Sequence, residues 1–276
     1  MIRLLKWEIF KLTRQSRTYY ALLALFVIEA FVMATAYFQG RDLISMFLGS
    51  IEQSFVLKGN LLNGNLLIYI ILNSLWLHIP LILMIISSGL VCAEYKDGTI
   101  QNVMLQGVRK MDYILAKFGA AIIFTLVIML LMAITATALA YLVFGKGDLV
   151  VYMDSLNFFP HHAAVVRIVA AFTAGTLAMV FYSCVSVLIG IIVEDATKAW
   201  ILSALFVILS TLLIKIDWGN LPLKQYLYFN LVETWQQMFY YKVDKFAIVT
   251  NSILICAYSA LVIILGSRLF IKKEIG

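Results

Sequence analysis

Charged residues are scarce in this sequence: Asp, Glu, Lys and Arg make up 13% of its 276 residues, whereas 63% are hydrophobic. Soluble domains carry about 25% charged and roughly 45–50% apolar residues, so this chain has too little polar surface to enclose a water-soluble globule. Ordinary soluble enzymes, disordered proteins and secreted disulfide scaffolds are therefore excluded. Because the apolar residues form long blocks rather than alternating ten-residue strands, we expect an all-α integral membrane protein.

Further absences restrict the chemistry that the chain can perform. Its three cysteines, Cys92, Cys184 and Cys256, lie in or beside apolar blocks without metal-ligand spacing, so we expect small buried residues and no metal site. No segment matches Gly-x-x-x-x-Gly-Lys-Ser/Thr, the loop that cradles phosphates, so we expect no cofactor and no ATP hydrolysis in this chain. The net charge of +6 is explained by Lys and Arg beside membrane spans rather than by nucleic-acid binding.

Six segments are apolar over the roughly 20 residues that a membrane-spanning helix needs. They cover residues 19–38, 66–93, 113–144, 164–193, 199–216 and 248–267. The first is predicted to be a retained span rather than a signal peptide, because its apolar stretch is longer than a signal core and contains Glu29. No loop reaches the roughly 50 residues that a separate domain needs, so we expect residues 1–276 to form a single membrane domain.

Basic residues are unevenly distributed between the loops, and this distribution predicts the orientation. Placing both termini in the cytoplasm gives the inner segments 1–18, 94–112, 194–198 and 268–276. These segments hold 12 Lys and Arg, against six in the longer outer segments, a density about threefold higher on the inner side. We therefore expect a multi-pass protein of the cell membrane with both termini cytoplasmic.

The first 18 residues have the pattern of an amphipathic helix. At 100° per residue, four apolar side chains fall on one narrow face: Ile2, Leu5, Ile9 and Leu12. Lys11 and four other basic residues cover the opposite side. We expect this helix to lie flat in the inner membrane interface, with its basic side toward anionic lipid headgroups.

The segment 217–247, between the fifth and sixth spans, is rich in Tyr, Trp and Phe. Aromatic residues with polar tips collect at the level of lipid headgroups, so we expect either an interfacial helix or a re-entrant hairpin on the outer side. Arg167, near the end of the fourth span, is expected to extend its charge to the headgroups.

The loop between the second and third spans, residues 94–110, carries the most informative pattern. Asp97 and Thr99 are residue types that begin helices, and Gly107 suits the position just after one, which predicts a helix of two turns. Three apolar residues fall on one face of this helix: Ile100, Val103 and Met104. Because so short a helix does not persist alone in water, the ridge requires a partner groove, or packing on this chain's own helix ends or on lipid.

Glu94, the pair Gly98-Thr99 and Arg109, placed between a second and a third span, resemble the cytoplasmic signature of type-2 ABC exporter permease subunits. That family exports antibiotics, peptides, lipids and polysaccharides. The resemblance implies that 98–106 is a coupling helix seated in a cleft of a separate ABC ATPase subunit, which binds ATP and Mg. The residues implied in coupling are Glu94, Gly98, Thr99, Ile100, Val103, Met104 and Arg109. A homodimer, or a heterodimer with a related permease, would then export a hydrophobic or amphipathic substrate such as a peptide or peptide antibiotic.

Polar side chains within the first two spans are candidates for the translocation path. Glu29 lies near the middle of the first span, where an acid costs roughly 2.5–3.5 kcal/mol, so it should face protein or a wet cavity, or stay protonated. Its candidate roles are substrate contact or gating, and structural pairing with a helix such as the second span. Asn73, Ser74 and His78 make the second span the most polar, and Pro80 is expected to kink it. Hydrogen bonding between helices is the alternative role for each of these residues.

Two competing functions follow from the same sequence. A carrier or channel working alone would transport without nucleotide, and no internal repeat of the kind found in many carriers is visible. An intramembrane enzyme would need converging titratable groups at membrane depth, and Glu29 and His78 are the candidates for them.

Overall fold

The computed structural model describes residues 1–52, 61–153, 155–216 and 224–273 of the chain. Its α-helices are α1 (Ile2–Arg14), α2 (Ser16–Glu52), α3 (Gly64–Leu75), α4 (His78–Lys96), α5 (Thr99–Leu105), α6 (Lys110–Phe144), α7 (His161–Val193), α8 (Ala196–Lys215), α9 (Tyr228–Leu231) and α10 (Lys245–Lys272). Within the described residues, six helices are long and apolar enough to cross a membrane: α2 as far as Gly40, α4, α6, α7, α8 and α10. The expectation of an all-α integral membrane protein is confirmed.

The second span is not the continuous helix 66–93 that hydropathy predicts, because the chain breaks into α3 and α4 at Trp76 and Leu77. The break lies one turn before Pro80, and proline explains it. A proline ring clashes with the carbonyl four residues earlier, here that of Trp76, and proline has no N–H to donate. Because α4 begins at His78, Pro80 falls in the first turn, where no N–H donor is needed.

The helix α7 is at the centre of the bundle and packs against α4, α6, α8 and α10. Small residues bring it close to α4: a Cβ added at Gly190 would lie 3.0 Å from the carbonyl oxygen of Ser88 and 3.3 Å from the sulfur of Cys92. Such close backbone approach is a usual basis of helix association in membranes. Cys92 and Cys184 are buried as predicted, whereas the prediction is wrong for Cys256, which is exposed on α10.

The two ends of the bundle differ in what covers them, and we call them the α5 end and the hairpin end. The α5 end holds α1, α5 and the last residues of α10, as contacts from Lys11 to Glu94 and from Lys110 to Lys273 show. Residues near both termini therefore lie at the same end of the bundle. That this end faces the cytoplasm stays a prediction from the basic residues.

The hairpin end carries an element that hydropathy did not predict, a two-stranded antiparallel sheet of β1 (Leu149–Tyr152) and β2 (Leu156–Phe159). Before it, α6 ends at Phe144 and is followed by the capping residue Gly145, whose φ of 70° glycine adopts at little cost. The side chain of Asn63 donates a hydrogen bond of 2.7 Å to the carbonyl oxygen of Asp148. This bond fastens the start of α3 to the turn that leads into the sheet.

The described part of the aromatic segment 217–247 begins at residue 224, and residues 217–223 lie outside it. The chain here forms a 3₁₀ turn Lys224–Tyr226, then α9 and a 3₁₀ helix Val232–Phe239. This 3₁₀ helix packs against α7 and α10. The segment is thus a series of short helical turns packed on protein, and neither expected form describes it fully.

Aromatic contacts hold this 3₁₀ helix in place. Trp235 and Phe239 are almost fully buried, with ring centroids 4.7 Å from Trp76 and 4.8 Å from Tyr69 respectively. Trp76 also donates a hydrogen bond of 3.0 Å from its Nε1 to Glu233 Oε1. Burial raises the pKa of Glu233 above its usual value, and the hydrogen bond from Trp76 offsets part of that rise.

Arg167 on α7 does not extend to lipid headgroups as expected. Its guanidinium donates hydrogen bonds to the carbonyl oxygens of Met238 at 2.5 Å and of Tyr240 at 2.9 Å. A longer bond of 3.4 Å reaches Tyr241, and the Cζ atom lies 4.0 Å from the ring centroid of Phe159. The charge therefore caps the end of the 3₁₀ helix, which leaves carbonyl groups unpaired, as any helix end does.

Candidate functional site

The short helix predicted in the loop after the second span is present as α5, and two glycines delimit it. Gly98 and Gly107 both have positive φ, 63° and 76°, which an L-residue with a side chain adopts at a cost. The predicted capping by Asp97 or Thr99 is wrong, because the N-cap is Gly98, which has no side chain to accept from the first turn. Thr99 instead donates from its hydroxyl to the carbonyl oxygen of Glu94 at 3.5 Å, which ties α5 to the end of α4.

The apolar ridge of α5 faces this chain rather than water. Ile100 is 2% exposed, and Val103 and Met104 are half-buried against the same hydrophobic core. The ridge therefore needs no partner groove, and of the alternatives that the sequence left open, packing on the chain's own helices is the one observed. Burial supplies the stability that seven residues lack in isolation. The outward face is formed by Gln101, Asn102, Leu105 and Gln106, of which Leu105 is 85% exposed.

Beside α5 lies a group of ionisable side chains, all buried except the half-exposed Lys11, which we call the Glu94 cluster: Glu8, Lys11, Glu94, Tyr113 and Lys117. Glu94 Oε1 accepts hydrogen bonds from Lys11 Nζ at 2.6 Å and from Lys117 Nζ at 2.7 Å. Its Oε2 accepts a bond from the Tyr113 hydroxyl. Glu8 completes the arrangement with bonds of 2.9 Å from Lys11 and 2.7 Å from Lys117. The cluster joins α1, α4 and α6 at the point where α4 leads into α5.

The charges of the Glu94 cluster balance, with two carboxylates and two ammonium groups. Lys117 is 1% exposed, so its charge is stable there only because both carboxylates accept from it. Burial is the largest single influence on Lys11 and lowers its pKa. The hydrogen bonds and charge attraction of Glu94 and Glu8 together outweigh burial, so the pKa of Lys11 is raised above 10.5. Sequence reasoning missed Glu8 and Lys117, although a lysine inside the apolar block 113–144 is itself a signal of a buried partner.

The orientation of α1 also differs from the expected one. Glu8 and Leu12 are its buried residues, whereas Ile2, predicted on the apolar face, is 72% exposed. Lys11 points into the Glu94 cluster instead of toward headgroups. Trp7 and Phe10 are exposed on α1, so large aromatic side chains are available for the membrane interface. The helix is thus held to α6 by charge as well as by apolar contact.

The last turn of α10 fastens the same end of the bundle. Lys273 donates from Nζ to the Glu194 carboxylate and to the carbonyl oxygen of Ile191, both at the end of α7. Lys110, at the start of α6, donates to the carbonyl oxygen of Lys273 at 2.6 Å. Tyr113 of the Glu94 cluster stacks on Phe270 of α10, with ring centroids 5.4 Å apart. The helices on both sides of α5 are therefore braced by α7 and α10.

Arg109, the other charged residue of the predicted coupling set, stays at the surface. Its side chain is 82% exposed and pairs with Asp112 one turn later, at 2.8 Å from both Nε and Nη2. Exposed pairs of this kind contribute roughly 1 kcal/mol or less to stability. The Arg109 guanidinium is consequently accessible to another molecule.

The candidate path residues fall into two separate places. Glu29 on α2 is 1% exposed and faces α6, where the Thr135 hydroxyl lies within hydrogen-bonding reach. Asn73, Ser74 and His78 lie instead around the break between α3 and α4, where His78 Nδ1 is 2.9 Å from the carbonyl oxygen of Ser74. Asn73 donates to the carbonyl oxygen of Tyr69 at 2.9 Å, and Ser74 and His78 are exposed.

Glu29 thus faces the third span rather than the second, which the sequence suggested as its partner. Among the described residues, no group of three His, Cys, Asp or Glu side chains is arranged to hold a metal ion.

Comparison with known proteins gives one match of high coverage. The family model described as "ABC-2 family transporter protein" matches residues 4–210, which is more than half of the chain. The match extends from α1 to α8 and includes α5 and the Glu94 cluster. No curated protein is significantly similar to the chain.

Proposed function

Because this chain belongs to the ABC-2 family of transporter proteins, we propose that it is the permease subunit of an ATP-driven exporter. Membership makes it a multi-pass membrane component of an ABC transporter that works with an ABC ATPase subunit and is not itself the ATPase. The proposal adds the direction, out of the cell, and the substrate class, hydrophobic or amphipathic molecules such as peptides or peptide antibiotics. ATP and Mg²⁺ would bind to the partner ATPase.

The observation that carries this proposal is the way in which α5 is held. Its inner face, through Ile100, is buried in this chain, and the Glu94 cluster braces the helix end from which it departs. A force applied to the outer face would therefore pass into α1, α4 and α6 rather than be lost in a flexible loop. We propose that the outward face of α5, with Leu105 at its centre and Arg109 beside it, contacts the ATPase.

This assignment changes the roles within the coupling set that the family resemblance implied. Ile100, Val103 and Met104 would transmit motion by packing, and Glu94 would anchor α5 through Lys11 and Lys117 rather than pair with the ATPase. Gly98 and Thr99 would fix the angle at which α5 leaves α4. The partner-facing part would be Leu105, Arg109 and the exposed amides between them.

A dimer is the assembly that we propose, either of two copies or of this chain with a related permease. In support, few residues in the most apolar stretches of two helices are buried within the chain, 22% in α8 and 17% in α10. Both helices therefore present wide faces to lipid or to a second subunit. We also propose that the α5 end is cytoplasmic, since the basic residues concentrate there.

The interface is tested by a charge placed on the outward face of α5. We expect Leu105→Asp to abolish co-purification of the chain with its ATPase and to leave the unfolding midpoint of the chain unchanged. The matched control is Thr197→Asp, an exposed position in the first turn of α8 at the same end, which should retain the ATPase. Retention of the ATPase by Leu105→Asp would overturn the assignment of this face.

Transport in proteoliposomes separates the exporter from a carrier that works alone. We expect the chain with its ATPase to move an amphipathic peptide only when ATP and Mg²⁺ are present on the α5 side. The chain without the ATPase should move none. Transport by the chain alone would favour the carrier, and transport in the opposite direction would refute export.

A further inference from the structure

A cavity of about 200 Å³ lies between α2 and α6 in the membrane-spanning part of the bundle. Its wall is apolar apart from two polar side chains, Glu29 from α2 and Thr135 from α6. Phe26 and Leu131 line it and are half exposed, so the cavity borders the outer, lipid-facing surface of the bundle. It is therefore a lateral recess rather than a sealed void.

The carboxyl of Glu29 is incompletely satisfied in this recess. Glu29 is 1% exposed, and its Oε2 atom has no hydrogen-bond partner among the described residues. Thr135, which neighbours it, donates its own hydroxyl hydrogen toward the carbonyl oxygens of Leu131 and Met132 on α6. Burying a carboxyl oxygen without a hydrogen-bond donor costs free energy. A ligand that brings a donor to Glu29 Oε2 would remove this cost.

A second apolar cavity, of about 160 Å³, adjoins the first toward the α5 end. Leu22, Ile128 and Leu131 line both cavities. The second cavity reaches Thr18, which is 11 positions before Glu29 on α2 and so about 16 Å away along the helix axis. Together the two cavities, which we call the Glu29 groove, form an elongated apolar space with one carboxyl at its deep end.

From this geometry we infer that the Glu29 groove binds a cationic single-chain amphiphile, with a primary ammonium on Glu29 and an aliphatic chain toward Thr18. An ammonium offers three donors and no acceptor, which matches a carboxylate whose Oε2 lacks a donor. In an environment that excludes water, such a charge-assisted bond is far stronger than in solution. The chain would replace lipid contacts along Leu22 and Ile128. This inference rests on the proposed function, because it names the class of substrate that the exporter would take from the membrane.

Binding is tested with the full chain in nanodiscs of zwitterionic phospholipid. The probe is a long-chain primary amine that carries a photoreactive diazirine, displaced by dodecylamine or by dodecanol of the same chain length. We expect the label on peptides containing residues 22–29 and 128–135. We expect Glu29→Gln to weaken displacement by dodecylamine at least about tenfold and displacement by dodecanol less than about threefold.

The controls separate a charge effect from a change in shape. Glu29→Asp keeps the carboxylate and should bind the amine within about threefold of the parent. Glu233→Gln, a buried carboxyl that already accepts from Trp76, should leave amine binding unchanged. Leu22→Trp, which places a large ring where the two cavities meet, should abolish labelling of the groove by the probe.

Three outcomes would overturn the inference: unchanged amine binding in Glu29→Gln, equal weakening of amine and alcohol, or labelling elsewhere in the chain. Co-purification of the ATPase with the same variants is measured in parallel. If amine binding fails while the ATPase stays bound, the groove assignment fails alone. If the parent chain binds no ATPase, the proposed function fails.

Discussion

Two buried glutamates, Glu94 and Glu29, face the same helix from different neighbours and have opposite surroundings. Glu94 at the α5 end accepts hydrogen bonds from Lys11, Lys117 and Tyr113. Glu29 in the groove has one oxygen without any partner among the described residues. The helix α6 supplies a lysine to the first and a threonine to the second, 18 positions apart and so about 27 Å along its axis.

The contrast shows how the fold distributes buried charge. At the α5 end, where the chain must stay rigid, every carboxylate oxygen of the Glu94 cluster is matched by a donor from this chain. In the groove, by contrast, the Oε2 atom of Glu29 has no donor among the described residues. Removing one partner of a buried ion pair is costly, which holds the paired arrangement in place. An ionisable group within the membrane that lacks a partner is instead a candidate binding site.

Removal of the shared lysine should give the largest effect on this contrast. We expect Lys117→Met to lower the free energy of unfolding by about 3–5 kcal/mol, because it leaves Glu8 and Glu94 facing each other with less positive charge. Unfolding in mixed micelles, followed by tryptophan fluorescence, measures it. Arg109→Met, which removes an exposed pair, should change stability by less than about 1 kcal/mol. Equal effects of the two variants would show that the cluster is solvated.

Neutralising the paired carboxyl should be the next largest effect. We expect Glu94→Gln to lower the free energy of unfolding by about 1.5–3 kcal/mol, since the bonds from Lys11 and Lys117 lose their charged acceptor. The same micelle assay applies, and co-purification of the ATPase should weaken in parallel. A variant as stable as the parent would mean that Glu8 alone satisfies both lysines.

The same substitution at the unpaired carboxyl should act in the other direction. We expect Glu29→Gln to raise the free energy of unfolding by about 1 kcal/mol, because it replaces a buried carboxyl, one oxygen of which lacks a donor, with a neutral amide whose burial costs less. The measurement is the unfolding assay used for Glu94→Gln, without added amphiphile. A loss of stability as large as that of Glu94→Gln would break the comparison, because it would mean that Glu29 is fully paired.

The smallest effect concerns the half-exposed lysine and depends on pH. Lys11 has a raised pKa in the folded chain. Its contribution to the free energy of unfolding is therefore complete below pH 10.5 and is lost as the pH rises through the folded pKa. We expect Lys11→Met to cost about 0.5 kcal/mol at pH 7, a small value because 43% of the side chain is exposed. The difference between parent and variant should shrink above about pH 10.5. A constant difference up to pH 12 would contradict the pairing.

Hydropathy predicts the spans well because length and apolar content alone decide whether a helix crosses a membrane. It fails at the break before Pro80, because the mean hydropathy of residues 66–93 stays high despite Asn73, Ser74 and His78. Composition also does not record where a helix is interrupted. It also passes over the β1–β2 hairpin, because two four-residue strands leave almost no mark in a window of about 20 residues.

The candidate site was predictable in its location but not in its orientation. Periodicity shows that Ile100, Val103 and Met104 share one face, and it cannot show what covers that face. The Glu94 cluster needs contacts between residues up to 109 positions apart, such as Glu8 and Lys117, so no local pattern contains it. A charge inside an apolar block, however, does call for a partner, and Lys117 meets that description.

At the hairpin end of the bundle, the hydrogen bonds from Arg167 to three carbonyl oxygens limit how the helices can move. Because the Arg167 guanidinium joins α7 to the end of the 3₁₀ helix, we expect this helix and the central helix α7 to move together as one rigid unit. Any opening at that end must either swing both together or release several charge-assisted bonds at once.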